Sequence, residues 1–146
     1  MDPIVGQLLS PRYDLGTVAL SYVISFFGSL LALLCAHKMV RKDGTLDLLM
    51  LAGGAVALGG IGIWSMHFIG MVAYRLPVAI AYDVPLVALS LLAAMAAAAL
   101  ALCVASRRAV GPARLLAAGT LMGAAIAAMH YTGMRAMRLQ IGRAHV

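Results

Sequence analysis

Two short strings hold the residues able to do chemistry in an otherwise apolar chain. "WSMHFIGM" runs from Trp64 to Met71 and "AAMHYTGM" from Ala127 to Met134, so the element Met-His-x-x-Gly-Met occurs twice. On a helix, residues four apart share a face, which predicts His67 over Met71 and His130 over Met134. Met66 and Met129 are rotated about a third of a turn away. Gly70 and Gly133 leave room beside each imidazole for a neighbouring backbone or a ligand. Each string therefore offers one imidazole and two thioethers in a small volume. Imidazole suits copper, and thioether is a soft donor that favours Cu(I). Hard cations want carboxylates, and the chain contains no Glu; zinc more usually takes Cys, His or carboxylate. Tyr131 and Thr132 stand where the first string has Phe68 and Ile69, adding two hydroxyls that can bond a ligand or the backbone one turn back.

A plainer reading stands beside this one. Methionine is a flexible gap-filler, and Met39, Met50, Met95 and Met122 lie outside the motif positions. The histidines carry more weight, because an ionisable group in a membrane helix is costly and marks a functional site by default. Two copies with the same flanking methionines place a metal or cofactor role ahead of packing, with proton transport third.

These strings must be held by membrane-spanning elements. The chain has 146 residues, is 64% hydrophobic with a mean hydropathy of +0.99, and is 11% charged, against about a quarter charged in soluble domains. Four apolar blocks, about Leu15–His37, Leu46–Tyr74, Val84–Ala105 and Leu115–Met137, approach or exceed the roughly 20 residues that cross a bilayer as a helix. They lack the alternation of a barrel, and helices satisfy their own backbone in lipid. The fold class is therefore an all-α membrane protein with four transmembrane helices. The first span reads as a retained signal-anchor, since no basic n-region or cleavage site precedes it. The glycines at Gly119-x-x-x-Gly123, with Ala55-x-x-x-Gly59, predict close packing that makes spans two and four an inner pair. Trp64 and Tyr74 are expected to anchor at the outer interface.

The net charge of +6 has a membrane explanation. Lys38, Arg41, Lys42, Arg107, Arg108 and Arg114 fall in two short loops. Arg12, Arg75, Arg135 and Arg138 lie on the other side, with Asp2, Asp14 and Asp83. The positive-inside rule then puts the basic loops in the cytoplasm and the N-terminus and both motifs outside. Lipid headgroup contact is the expected role of the loops, and no nucleic acid is expected to contact this chain. Cys35 and Cys103 lack CxxC spacing and read as small buried hydrophobes. Asp14 and Asp83 stand at span starts and read as helix caps, and no Ser/His or acid pair lies at membrane depth to suggest an enzyme.

An internal repeat organises the whole. "YDLGTVALS" (Tyr13–Ser21) aligns with "YDVPLVALS" (Tyr82–Ser90), and "MHFIGMVAYRL" (Met66–Leu76) with "MHYTGMRAMRL" (Met129–Leu139). Each unit is a Tyr-Asp start, a span, a basic turn and a Gly/Ala-rich span ending in the motif, which makes two parallel two-helix repeats. The final hexapeptide "IGRAHV" reads as the in-frame translation of a sequencing adapter. Residues 1–140 are accordingly expected to be a partial membrane sensor domain and 141–146 an artefact, with Arg143 and His145 set aside.

"MHFIGM", "MHYTGM" and the "YDVPLVALS" between them resemble the bacterial MHYT domain, over essentially residues 13–139. The resemblance implies an integral domain of the cytoplasmic membrane built from three such repeats, of which two are present here. It implies copper bound near the outer face through Met66, His67, Met71, Met129, His130 and Met134, beside Gly70, Gly133, Tyr131 and Thr132. It also implies sensing of a diatomic gas (oxygen, carbon monoxide or nitric oxide) or of redox state, relayed to a cytoplasmic output domain. A bis-histidine haem protein and a copper-handling membrane protein are the alternatives, the second weakened because the motifs cluster on one side.

Overall fold

The computed structural model describes residues 12–75, 79–106 and 111–140. The basic residues Arg107 and Arg108, and the hexapeptide 141–146, lie outside the described residues. Four helices are long and apolar enough to cross a membrane: α1 (Leu15–Lys38), α2 (Leu48–Ala73), α3 (Val84–Ala105) and α4 (Pro112–Ala136). Four short strands accompany them: β1 (Arg12–Tyr13), β2 (Tyr74–Arg75), β3 (Ala79–Tyr82) and β4 (Met137–Gln140).

Aspartates start three of the helices. The Asp14 carboxylate accepts from the Gly16 and Thr17 amides at 3.0 and 3.2 Å, and Asp47 accepts from Leu49 and Met50 at 3.0 and 3.2 Å. Asp83 accepts from the Leu86 amide at 3.4 Å. Each carboxylate satisfies amides that the first helical turn leaves unpaired and sits at the positive end of the helix dipole. Pro112 opens α4 at its first turn, where no amide hydrogen is needed. The turn between α1 and α2 closes with Gly44 at φ +83°, a left-handed conformation that glycine adopts without a Cβ clash.

The repeat is visible in the backbone. Tyr13 pairs with Tyr74 across β1 and β2, and Tyr82 pairs with Met137 across β3 and β4, both antiparallel. The Asp14 amide donates to Ala73 O at 3.0 Å, and the Asp83 amide donates to Ala136 O at 2.9 Å. Each unit thus ties its own start to its own end with the same bonds, and both units run in the same direction. The strands, both motifs and the aspartate caps of α1 and α3 gather at one end of the bundle, and the turn between α1 and α2 at the other.

Small residues form the interior. Ala32, Ala57, Ala94, Ala97, Ala98, Gly59, Gly60, Gly62 and Ser90 are buried, while Leu20, Phe26, Phe27, Leu33, Leu92 and Leu116 are exposed. That distribution suits lipid, where close backbone contact holds helices together and large apolar side chains face acyl chains at no cost. A Cβ on Gly28 of α1 would lie 2.7 Å from Gly62 N and 2.8 Å from Ala57 O of α2. One on Gly59 of α2 would lie 2.5 Å from Ala94 O of α3. Helix α2 is therefore clamped backbone-to-backbone between α1 and α3.

This arrangement corrects the sequence-based pairing of spans two and four. Helix α4 packs along α3, and a Cβ at Gly119 or Gly123 would meet nothing within 4 Å. The Gly-x-x-x-Gly spacing is shared with helices that do pack closely, so spacing alone did not reveal which face is used. Within α2, Val56–Trp64 is a π-helix, a wider turn with bonds from i to i+5. The Ser65 amide and hydroxyl both donate to Gly60 O, the hydroxyl at 2.9 Å, and close this segment.

Candidate metal centre

The last two turns of α2 and α4 carry the motifs. Their histidines, 63 residues apart in sequence, meet with Nδ1 to Nδ1 at 3.3 Å and ring centroids 4.7 Å apart at 62°. A proton on one Nδ1 can be shared with the lone pair of the other. The contact also fits a metal: two bonds of about 2.0–2.1 Å at a tetrahedral angle separate their donor nitrogens by roughly 3.3–3.4 Å.

The setting of His67 explains one of the motif glycines. A Cβ at Gly133 would lie 3.0 Å from His67 Nε2, 3.4 Å from its Cδ2 and 3.5 Å from Phe68 Cε2. Glycine lets the ring of the first unit rest on the helix backbone of the second. At Gly70, the equivalent position, a Cβ would meet nothing within 4 Å. Among the described residues His67 Nε2 is buried with no hydrogen-bond partner. A buried polar atom left so costs roughly 1–3 kcal/mol, and the ring retains coordination capacity that packing does not use.

A cleft of ≈ 510 Å³ opens at the strand end of this pair, lined by Met66, His67, Gly70, Met71, His130 and Met134, and by Tyr13, Tyr74 and Met137. A second cleft of ≈ 400 Å³ lies along the same histidines, with Met66, Met129 and Tyr131 among its walls. Five of the six sequence-nominated donors therefore share the first cleft. Met129 is 2% exposed and lines only the second, and Tyr131 lines that one too. Thr132 lines neither.

Sequence reasoning missed Tyr13, Tyr74 and Met137 as site residues. Their signal was the β1–β2 and β3–β4 pairing, which folds each unit's start and end over its motif. Tyr13 and Tyr74 pack against each other with ring centroids 5.2 Å apart and planes tilted by 55°. Trp64, expected as an interface anchor, is instead turned into the bundle: its Nε1 donates to Ser90 Oγ at 3.0 Å, and its ring lies 4.5 Å from that of Phe68. A buried indole N–H needs an acceptor, and Ser90 provides one from the second unit. Among the described residues no third histidine, cysteine or carboxylate joins the pair, so the other donors on hand are thioethers and the phenols of Tyr13, Tyr74 and Tyr131, and imidazole with thioether suits copper better than zinc or a hard cation.

These features define a multi-pass helical membrane domain made of repeated two-helix units that pool one histidine each at a shared site. The family model described as "Bacterial signalling protein N terminal repeat", MHYT, matches residues 60–118 and 123–146. The chain is 42% identical over 135 residues to the bifunctional diguanylate cyclase/cyclic di-GMP phosphodiesterase MucR of Pseudomonas aeruginosa, covering 92% of this chain and 20% of that protein. It is 39% identical over 140 residues to the cyclic di-GMP phosphodiesterase NbdA of the same organism, covering 93% and 17%. It is 34% identical over 126 residues to the signaling protein YkoW of Bacillus subtilis, covering 86% and 16%. No solved structure matches the chain. The chain belongs to the MHYT family of bacterial signalling proteins, and it spans a fifth or less of the length of these relatives.

Proposed function

We propose that this chain is the membrane-embedded sensing unit of a longer signalling protein, in which His67 and His130 with methionine sulfurs hold copper and report a diatomic gas or redox state. The observation that carries the reading is the meeting of the two motif histidines at 3.3 Å in a cleft that four methionines line: Met66, Met71, Met134 and Met137. Copper, when bound, would supply a redox-active centre with affinity for small diatomic ligands. The chain's own residues do the rest. His67 is oriented by the Gly133 backbone beneath it, His130 by its place on α4, and the Tyr13–Tyr74 pair narrows the strand end of the cleft.

Signal output follows from how the ligands are mounted. His67 belongs to the clamped helix α2 and His130 to α4, which packs along its length on α3 and meets α2 at the histidine pair. A change in the His67–His130 separation therefore moves α4 relative to α2, and both helices reach the opposite, basic end of the bundle. There an output domain would read the displacement as a shift between two packings. The curated names of MucR and NbdA make a domain that forms or hydrolyses cyclic di-GMP the favoured output. The bias of Lys38, Arg41, Lys42 and Arg114 supports a cytoplasmic basic end and histidines near the outer face.

A haem sandwiched between the histidines is disfavoured by the same contact, because a porphyrin plane must pass between rings that now touch. The test is elemental analysis of the full chain purified in detergent, with an optical spectrum of the same sample. Copper lost in the His67→Ala and His130→Ala variants, with no Soret band, is the expected outcome. Copper absent from the parent protein, or retained by the double variant, overturns the reading, and iron with a Soret band replaces copper by haem.

A further inference from the structure

The two helices that carry the motifs differ in length by one residue. Helix α2 runs for 26 residues and α4 for 25. Their caps, Asp47 and Gly111, are 64 positions apart, whereas their last residues, Ala73 and Ala136, are 63 apart. The small residues carry the same difference: Gly59 lies eight residues before His67, and Gly123 seven before His130. The first unit therefore holds one extra residue between its cap and its motif. The π-helical stretch Val56–Trp64 is where it is kept, since α4 is α-helical from Pro112 to Ala136. A turn closed from i to i+5 takes up one residue more than an α turn.

That extra residue sets the direction in which His67 faces. Gly59 is fixed against α3, because a Cβ there would lie 2.5 Å from Ala94 O. An unbroken α-helix would put Met66, seven beyond Gly59, at the angle His67 now holds, and would turn His67 about 100° away from His130. Ser65 holds the wide turn. Its amide and its hydroxyl, the latter at 2.9 Å, both donate to Gly60 O, whereas a regular α-helix would send that amide to Ile61 O. Trp64, the last residue of the segment, is tied to α3 through Ser90. The second unit, which has no π turn, has Ala127 and Ala128 at the places of Trp64 and Ser65. We propose that Ser65 is a positioning residue for the histidine pair: it keeps the one-residue π insertion in place and so aims His67 at His130. Its consequence for sensing rests on the copper reading, but the positioning itself does not.

Proximity can be read without metal. In the full chain in lipid nanodiscs, with Cys35 and Cys103 replaced by Ala, His67→Cys and His130→Cys are cross-linked by a short bis-methanethiosulfonate. A parallel protein with Tyr82→Cys and Met137→Cys, partners across β3 and β4, reports that the second unit is folded. One intramolecular hydrogen bond shifts an equilibrium by about three- to tenfold. Ser65→Ala should slow cross-linking at the histidine positions by that factor and leave the strand pair unchanged. Ser65→Thr should keep the parent rate, and Ser65→Val, of the same shape without the hydroxyl, should not. Should Ser65→Ala fail the strand control, the threonine and valine variants decide. Deleting Ile61, which is 39% exposed, removes the extra residue, so the cross-link should persist and Ser65→Ala should then change nothing. A Ser65 effect absent from the parent, an equal effect with and without Ile61, or a histidine cross-link lost on deletion overturns the proposal. Copper analysis of the histidine-bearing protein separates the two readings: no copper with the Ser65 dependence intact sinks the metal site and keeps the positioning role.

Discussion

At the scale of single residues, the two motif glycines look alike in sequence and differ in what they support. Gly133 lies under His67, with its missing Cβ 3.0 Å from Nε2, whereas Gly70 faces open space. Gly133→Ala must push the imidazole by a few tenths of an ångström against its partner histidine. Loss of a ligand's support typically costs 10–100-fold in metal affinity. We expect Gly133→Ala to weaken copper binding by about tenfold or more and Gly70→Ala to leave it unchanged, as read by competition with a Cu(I) chelator. Asp47 is the residue for which a pH dependence follows. The Arg41 side chain at 2.8 Å, then the Met50 and Leu49 amides, hold its carboxyl below the ordinary value of 3.8. A depressed folded-state pKa contributes stability that is present above 3.8 and lost as the pH falls through the lowered value. The Asp47 carboxyl carbon should titrate below 3.8 by NMR, and Arg41→Ala should raise its midpoint. An unchanged midpoint would mean that solvent screens the exposed pair completely.

Among the helices, glycine positions divide into contacts and open surface. Gly28 and Gly59 each stand where a Cβ would strike a neighbouring backbone, at 2.7 Å and 2.5 Å, and backbone cannot rotate away as a side chain can. Gly28→Ala and Gly59→Ala should each destabilise the bundle by about 1–3 kcal/mol or more, measured by unfolding in mixed detergent micelles. Gly119→Ala meets nothing and removes a flexible residue from a helix, so it should be neutral or stabilising by up to about 1 kcal/mol. Equal losses at all three sites would mean that α4 packs as closely as α2. The reason this division was hidden in the sequence is physical: Gly-x-x-x-Gly reports that a face is flat, and only the neighbouring helix reports whether that face is used.

Taken whole, the molecule is two copies of one unit joined in a directional way. The first unit gives His67 to the Gly133 backbone and Trp64 Nε1 to Ser90 Oγ of the second. The equivalent positions of the first unit, Gly70 and Ser21, make no such contact with the described part of the second; Ser21 Oγ donates to Val18 O within its own helix. The charge bias predicts an orientation in the bilayer. With Cys35 and Cys103 replaced by Ala, a membrane-impermeant maleimide applied to intact cells should label Arg12→Cys at the strand end and spare Thr45→Cys in the basic turn. The reverse pattern would put the histidine site on the cytoplasmic side and overturn the proposed direction of signalling.

Four helices, the starts of the first and third, and the two-unit repeat were readable from residue order alone. Span length, an aspartate ahead of an apolar run and a recurring string are all properties of neighbours in the chain, so Asp14, Asp83 and the block Val84–Ala105 could be placed without coordinates. The choice of histidine and methionine also followed locally, from the cost of an ionisable group among apolar residues. The tertiary structure alone decided that His67 touches His130, that Met129 turns away from the strand-end cleft while Met137, Tyr13 and Tyr74 line it, and that α2 is clamped while α4 stays open. Those outcomes depend on distances between residues about thirty to sixty positions apart. Several small-residue faces were equally flat in sequence, and backbone contact in three dimensions selected among them.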